Sequence, residues 1–286
     1  MKKKISLYFK LSSILAVISI LIAIYLVYDI GDKVERYLYG VEPGVIFEGQ
    51  DLTGYLRCEV EELVLQRAEE ERIEPQNAYI DRDSGEIILE VIGKEVNVLR
   101  TVNVIMEANE KSKVSLVIIH LDPEITQELL SSIDKVIGSY FTWHGSGYSR
   151  VTNIRMGTYY INNTLLHPGE VFSFNKTVGP VTAERGFQYA PVIVSRSVTL
   201  GLGGGLCQVS STLYNAVLEA DLQIVERYPH SRPVGYVPQG RDATVSYSLD
   251  FKFQNNSNSF ILIKGGLWGG RVQIELYSNQ SDEEDY

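Results

Sequence analysis

The sequence predicts an α+β protein: an N-terminal transmembrane helix, a small α+β module, then a β-rich α+β domain with antiparallel strands and a helix that starts at a cysteine. Three observations predict it. Leu11 to Tyr28 is a run of 18 residues without a charge. Beyond it, short segments of helical period and short alternating segments succeed one another between Gly-, Pro- and Asn-rich turns. Glycine is dense at 201–205, immediately ahead of Cys207 and an apolar stripe of helical spacing.

At about 1.5 Å per residue the uncharged run is about 27 Å long, enough to cross a bilayer. Lys2, Lys3, Lys4 and Lys10 precede it, and Asp29, Asp32 and Glu35 follow. Cationic flanks stay inside, so residues 1–30 are expected to form a cytoplasmic stub and single-pass anchor, with the rest outside the membrane and facing the wall. The run exceeds the roughly 7 to 15 apolar residues of a signal peptide, and no small-x-small site follows it, so the anchor is expected to be retained. Tyr25 and Tyr28 suit the outer interface. Removing the four lysines of the first ten residues from a net charge of −10 leaves −14, which excludes a nucleic-acid binder that must neutralise phosphates. Two cysteines, Cys58 and Cys207, are too few for a disulfide framework.

Pro43 and Gly44 open the next segment. Leu56, Val60, Leu63, Val64 and Arg67 fall at helical spacing, and Cys58 lies off that stripe. Strands are expected at 78–81 and 86–91 around Arg82-Asp83-Ser84-Gly85, a helix at 98–109, a strand at 114–120 and a weaker helix at 124–137. Residues 31–138 thus form an α+β module without a chemical motif, suited to spacing or binding. The aromatic and small polar residues 139–147 read as a linker into a second domain, 139–278. There, a helix is expected at 151–161, a turn at Pro168-Gly169, and strands at 243–253, 260–264 and 271–277. The polar, acidic residues 279–286 are expected to be disordered.

The chemistry concentrates around Cys207. Val209, Leu213, Ala216, Val217 and Ala220 form the buried stripe of a helix that begins at the cysteine. Unpaired amides and the helix dipole there favour the thiolate, the nucleophilic form. Gly203, Gly204 and Gly205, with the neighbouring Gln208, can turn amides toward a developing oxyanion. No Lys follows the glycines as a phosphate-binding loop requires. Of His120, His144, His167 and His230, the last sits in Tyr228-Pro229-His230-Ser231-Arg232-Pro233, where two prolines restrict the loop, and is the expected base. Asp242 is the expected orienting acid, with Asp250 the lesser candidate. Arg241 offers a two-pronged carboxylate clamp or a surface ion pair. No cofactor is expected, and no metal, because Cys207 and the histidines lack close ligand spacing.

From about Ser149 to Ser278 the chain resembles the VanW family, named after an accessory protein of vancomycin-resistance clusters. The resemblance is carried by Thr152-Asn153-Ile154-Arg155, residues 168–175, Gly203 to Ala216, Arg227-Tyr228-Pro229-His230-Ser231 and residues 236–245. Ser211 stands where the family usually has threonine, and Trp143-His144 is unusual. Residues 43–138 are loosely similar to a peptidoglycan-binding module. The resemblance implies cysteine-dependent L,D-transpeptidation: a cysteine accepts a peptidoglycan stem peptide at its diamino acid and passes it to a neighbouring strand's amine. The family's cysteine falls on Cys207 and the histidine of its Pro-His-Ser motif on His230; Ser210, Tyr214, Ser231 and Arg241 are expected to meet substrate. With water as acceptor the same site would be a carboxypeptidase or endopeptidase. The rival class is a non-catalytic protein that holds stem peptides or a glycopeptide.

Overall fold

The computed structural model describes residues 2–194 and 197–279, so the acidic stretch expected to be disordered lies outside the described residues except for Asn279. The fold is α+β, with an apolar N-terminal helix and mostly antiparallel sheets. Its contacts divide into two compact units, residues 1–76 with 91–123 and residues 77–90 with 124–286.

The first unit begins with the helix Lys2–Tyr39. Within it Leu15–Tyr39 is long and apolar enough to cross a membrane. The helix runs past the expected end of the span because Asp29–Lys33 and Asp32–Arg36 pair one turn apart, at 2.7 and 2.9 Å. Arg36 also grips Glu59 through two 2.7 Å hydrogen bonds. Glu59 accepts the Leu56 amide as well, which fixes the start of the helix Arg57–Glu71. Val60 and Val64 of that helix pack on Val102 and Ile105 of the helix Val98–Met106, over Val45, Phe47 and Leu52. Asn97 caps the second helix by accepting the Arg100 amide.

The second unit is built on a four-stranded antiparallel sheet in the order Lys135–Trp143, Arg271–Ser278, Ile261–Trp268, Thr164–Leu166. Val272, Ile274 and Leu276 alternate inward and are fully buried, while their neighbours are not. Two helices cover that face, Tyr148–Ile161 and Leu206–Glu219, with Ile154, Ile161, Val209, Leu213 and Val217 in the shared core. Glycines set the approach. A side chain at Gly138 would collide with the Ala216 carbonyl, and one at Gly157 would come within 2.6 Å of the Leu206 side chain.

Two expectations need correction, and one element had no expectation. The stretch read as a linker, 139–147, is largely sheet: Lys135–Trp143 pairs with Arg271–Ser278 along its length. Its exposed Phe141 and Trp143 and its small Gly138 hide a strand pattern, because the fully buried positions are Gly138 and Thr142, with Tyr140 only partly buried against the core. Of the expected strand 243–253, only Lys252–Gln254 forms. The backbone before it spends its groups elsewhere: the Ala243 carbonyl accepts Ser210 Oγ at 2.7 Å and its amide reaches Ser211 Oγ at 2.9 Å. The hairpin Tyr189–Val194 with Ser197–Leu202, which leads into the glycine loop, was not anticipated.

Candidate active site

The hairpin ends at Leu202, and the glycine loop turns the chain into the helix Leu206–Glu219. Gly203 and Gly205 have φ of +78° and +119°, conformations that favour glycine. At Gly204 the reason is space, since a Cβ would lie 2.6 Å from the Pro191 carbonyl and 2.7 Å from that of Ala190. The loop is pinned from the neighbouring helix by Asn153. Its buried amide donates to the carbonyls of Gly204 and Gln188, both at 2.9 Å, and accepts the Gln188 amide at 2.7 Å. This gives the Thr152-Asn153 motif its physical role.

Only two of the four donors the sequence suggests around Cys207 remain uncommitted. The amides of Gly203 and Gln208 are already committed to the carbonyls of Gln188 and Gly205. Those of Gly204, Gly205 and Cys207 have no backbone acceptor among the described residues. Gln208 is instead a structural bolt. Its fully buried side chain donates to Thr142 Oγ1 at 3.0 Å and the Trp143 carbonyl at 2.9 Å, and accepts from Arg150 at 3.0 Å.

Cys207 itself is a free, half-buried thiol whose Sγ donates to the Val245 carbonyl at 3.4 Å. Burial pushes this thiol above its ordinary value, against which the Arg150 cation pulls. The helix start was expected to favour ionisation; here desolvation wins, and the resting sulfur is protonated.

His230 and Asp242 form a tight pair. Asp242 Oδ2 lies 2.6 Å from His230 Nδ1 and also accepts the His230 backbone amide at 2.6 Å. Arg227 holds the other oxygen at 3.1 Å and the Asp242 carbonyl at 2.6 Å. The two side chains are 4% and 11% exposed, so the ring is locked in one orientation. Desolvation pushes the Asp242 carboxyl up, but the hydrogen bonds from His230 outweigh it and hold the group below its ordinary value. Both residues line a cleft of about 320 Å³ with Ser231, Arg232 and the 237–240 turn. Asp250 is far from this role: it accepts from Ser173 Oγ and the Asn175 and Phe251 amides, securing the start of a short helix. His120 lies in the first unit, His144 turns to the Gly145 carbonyl, and His167 packs on Phe260.

Tyr236 is the residue sequence reasoning missed. Its hydroxyl lies 3.4 Å from His230 Nε2. Burial and the adjacent Cys207 push its phenol well above the ordinary value, and a contact with the Ser211 hydroxyl opposes them. Tyr236 therefore stands in reach of the imidazole and within the electrostatic influence of the thiol. It opens the 236–245 segment that carries the resemblance, six residues after His230, but nothing along the chain ties it to the imidazole. Of the expected substrate contacts, Ser210 is fully buried and tied to Ala243, and Tyr214 packs edge-on to Phe251 beneath the Arg227 guanidinium. Both serve packing. Arg241 is exposed and gives its carbonyl to Asn215, while Ser231 is exposed at the cleft.

Fold and site together define an α+β unit organised on a cysteine-bearing helix beside a His–Asp pair, in a chain with one helix able to cross a membrane. Residues 149–277, within the second unit, match the family described as VanW like protein. It is 47% identical over 171 residues to the "Uncharacterized protein YoaR" of Bacillus subtilis (strain 168), covering 59% of this chain and 56% of that protein. It is 28% identical over 127 residues to the "Vancomycin B-type resistance protein VanW" of Enterococcus faecalis (strain ATCC 700802 / V583), covering 40% and 46%. The chain thus matches about half the length of these curated relatives. No solved structure matches.

Proposed function

We propose that the protein is a membrane-anchored cell-wall acyltransferase that uses Cys207 to form peptidoglycan cross-links by L,D-transpeptidation. The anchor helix holds it with the N-terminus inside and both compact units facing the wall, and residues 31–138 act as a spacer or wall-binding module. The observation that carries the reading is the buried His230–Asp242 pair, joined at 2.6 Å, with the Tyr236 hydroxyl 3.4 Å from the other ring nitrogen. A carboxylate on Nδ1 selects the tautomer in which Nε2 carries the lone pair, the form a general base needs.

Because burial keeps Cys207 protonated, its proton leaves as the bond forms. The sulfur attacks the carbonyl of the L,D bond while the proton passes through the Tyr236 hydroxyl to His230 Nε2. The amides of Gly204, Gly205 and Cys207 stabilise the oxyanion. On collapse, the terminal D-residue leaves with the proton from His230, and a thioester remains. An acceptor amine attacks the thioester, gives its proton to His230 and restores the thiol, so two half-reactions predict ping-pong kinetics. Water in place of the amine gives hydrolysis from the same intermediate.

One observation favours a second reading. A half-buried, protonated thiol that donates to the Val245 carbonyl also suits a structural cysteine in a protein that only holds wall peptides. The deciding experiment incubates the detergent-solubilised protein with purified muropeptides, followed by mass spectrometry for direct links between diamino acids. Cross-links made by the wild type and not by Cys207→Ser support the transferase; peptide binding that survives Cys207→Ser without any product supports the binder.

A further inference from the structure

Resting on the reading of Cys207 as an acyl acceptor, the geometry points to Arg150 as the residue that recognises the carboxylate of the acyl donor, in place of the exposed Arg241. Arg150 lies in the first turn of the helix Tyr148–Ile161 and is half-buried against the glycine loop, its Cγ 3.3 Å from where a side chain at Gly205 would begin. Its guanidinium is aimed by Gln208. Both amide donors of that buried glutamine are used by Thr142 and Trp143, so its oxygen must accept, and Arg150 Nη2 fills the place at 3.0 Å.

The charge of Arg150 is unanswered. Arg36, Arg67, Arg72 and Arg227 each pair with a carboxylate. Arg150 has no acidic partner within 4.0 Å among the described residues. The acid of the site, Asp242, already serves His230 and Arg227. Arg150 nevertheless acts on the site, since its cation pulls down both the Cys207 thiol and the Tyr236 phenol. A guanidinium offers five donors in a plane, and four remain after Gln208. That fork matches a carboxylate, and its place against the glycine loop and Gln208, the residues that flank Cys207, would bring a bound carboxylate toward the bond being broken.

The test uses full-length Cys207→Ala protein in detergent, which can bind without turning over. The probes are a stem tetrapeptide with a free C-terminal carboxylate and the same peptide as its C-terminal amide, with Kd measured by calorimetry. The acid should bind roughly 10- to 100-fold more tightly than the amide. Arg150→Gln should abolish that preference with the amide's Kd unchanged, Arg150→Lys should keep part of it, and Arg241→Gln should leave it whole. Equal binding of acid and amide by Cys207→Ala protein, no binding of either, or a preference that survives Arg150→Gln would overturn the assignment. The transferase reading is judged apart, by cross-link formation with the unsubstituted cysteine: a carboxylate preference that depends on Arg150, without product, rejects the chemistry and retains the recognition.

Discussion

Replacing Gln208 with methionine removes the bolt between the sheet and the cysteine helix while keeping the side chain's length. Three hydrogen bonds go: those to Thr142 Oγ1, to the Trp143 carbonyl and from Arg150. They are not equal. Thr142 keeps its 2.8 Å partner Thr212, so its loss is slight. The Trp143 carbonyl loses the amide donor that served it, a cost of about 1–3 kcal/mol if no water replaces it. Arg150 loses a partner but can turn to solvent, about 0.5–1.5 kcal/mol. Methionine returns part of this through apolar contact, so the net is about 2–3 kcal/mol. In a unit of this size, about 2–4 °C per kcal/mol sets the fall in Tm at roughly 4–12 °C. Thermal unfolding of the detergent-solubilised protein, followed by near-ultraviolet circular dichroism at Trp143, measures it. A Tm within 1 °C of the wild type would mean that Gln208 is not the bolt described.

Gly204→Ala places a Cβ against two carbonyls that cannot rotate away, and should cost at least about 1–3 kcal/mol, read as a lower Tm; an unchanged Tm would show that the loop has slack. The His230–Asp242 tie stabilises the fold above the ordinary carboxyl value of 3.8 and is lost as pH falls through the depressed folded value, because the unfolded state then binds its proton first. The stability gap between wild type and Asp242→Asn should therefore be full at pH 6 and shrink toward pH 3 in denaturant titrations; a gap that widens in acid would contradict the direction. With iodoacetamide at pH 7, the exposed Cys58 should be labelled well before Cys207, whose rate should still be climbing above pH 9. Preferential labelling of Cys207 at neutral pH would restore the pre-ionised thiol that burial argues against.

What the sequence made legible follows from local pattern. The helix after Cys207 was readable because its apolar stripe is continuous and the glycines before it have no other local purpose. His230 could be chosen among the histidines for its proline-bounded loop, whereas Asp242 was expected with Asp250 beside it, and only the fold pairs it with His230. Residues 138–143 misled because their fully buried positions are Gly138 and Thr142 while Phe141 and Trp143 face out, a pattern that only the partner strand explains. Residues 243–251 alternate like a strand, yet their backbone groups go elsewhere: those of Ala243 to Ser210 and Ser211 of the cysteine helix, the Val245 carbonyl to Cys207 and the Thr244 amide to the Tyr228 carbonyl. Arg150 carries no local signature, and Tyr236, though it opens the 236–245 segment, carries none that gives it a role. Their importance arises where the start of one helix, the end of a glycine loop and a proline-bounded turn converge, and no spacing along the chain records that meeting.

The account stands most directly on whether an acyl group ever rests on the sulfur. Wild-type protein mixed with a stem tetrapeptide, quenched in acid within seconds and digested with protease, should yield a fragment containing Cys207 heavier by the tripeptide acyl group. That mass should disappear in Cys207→Ser and fall sharply in His230→Gln. Bound tetrapeptide with an unmodified Cys207 at every quench time, and no released D-residue, would contradict the account.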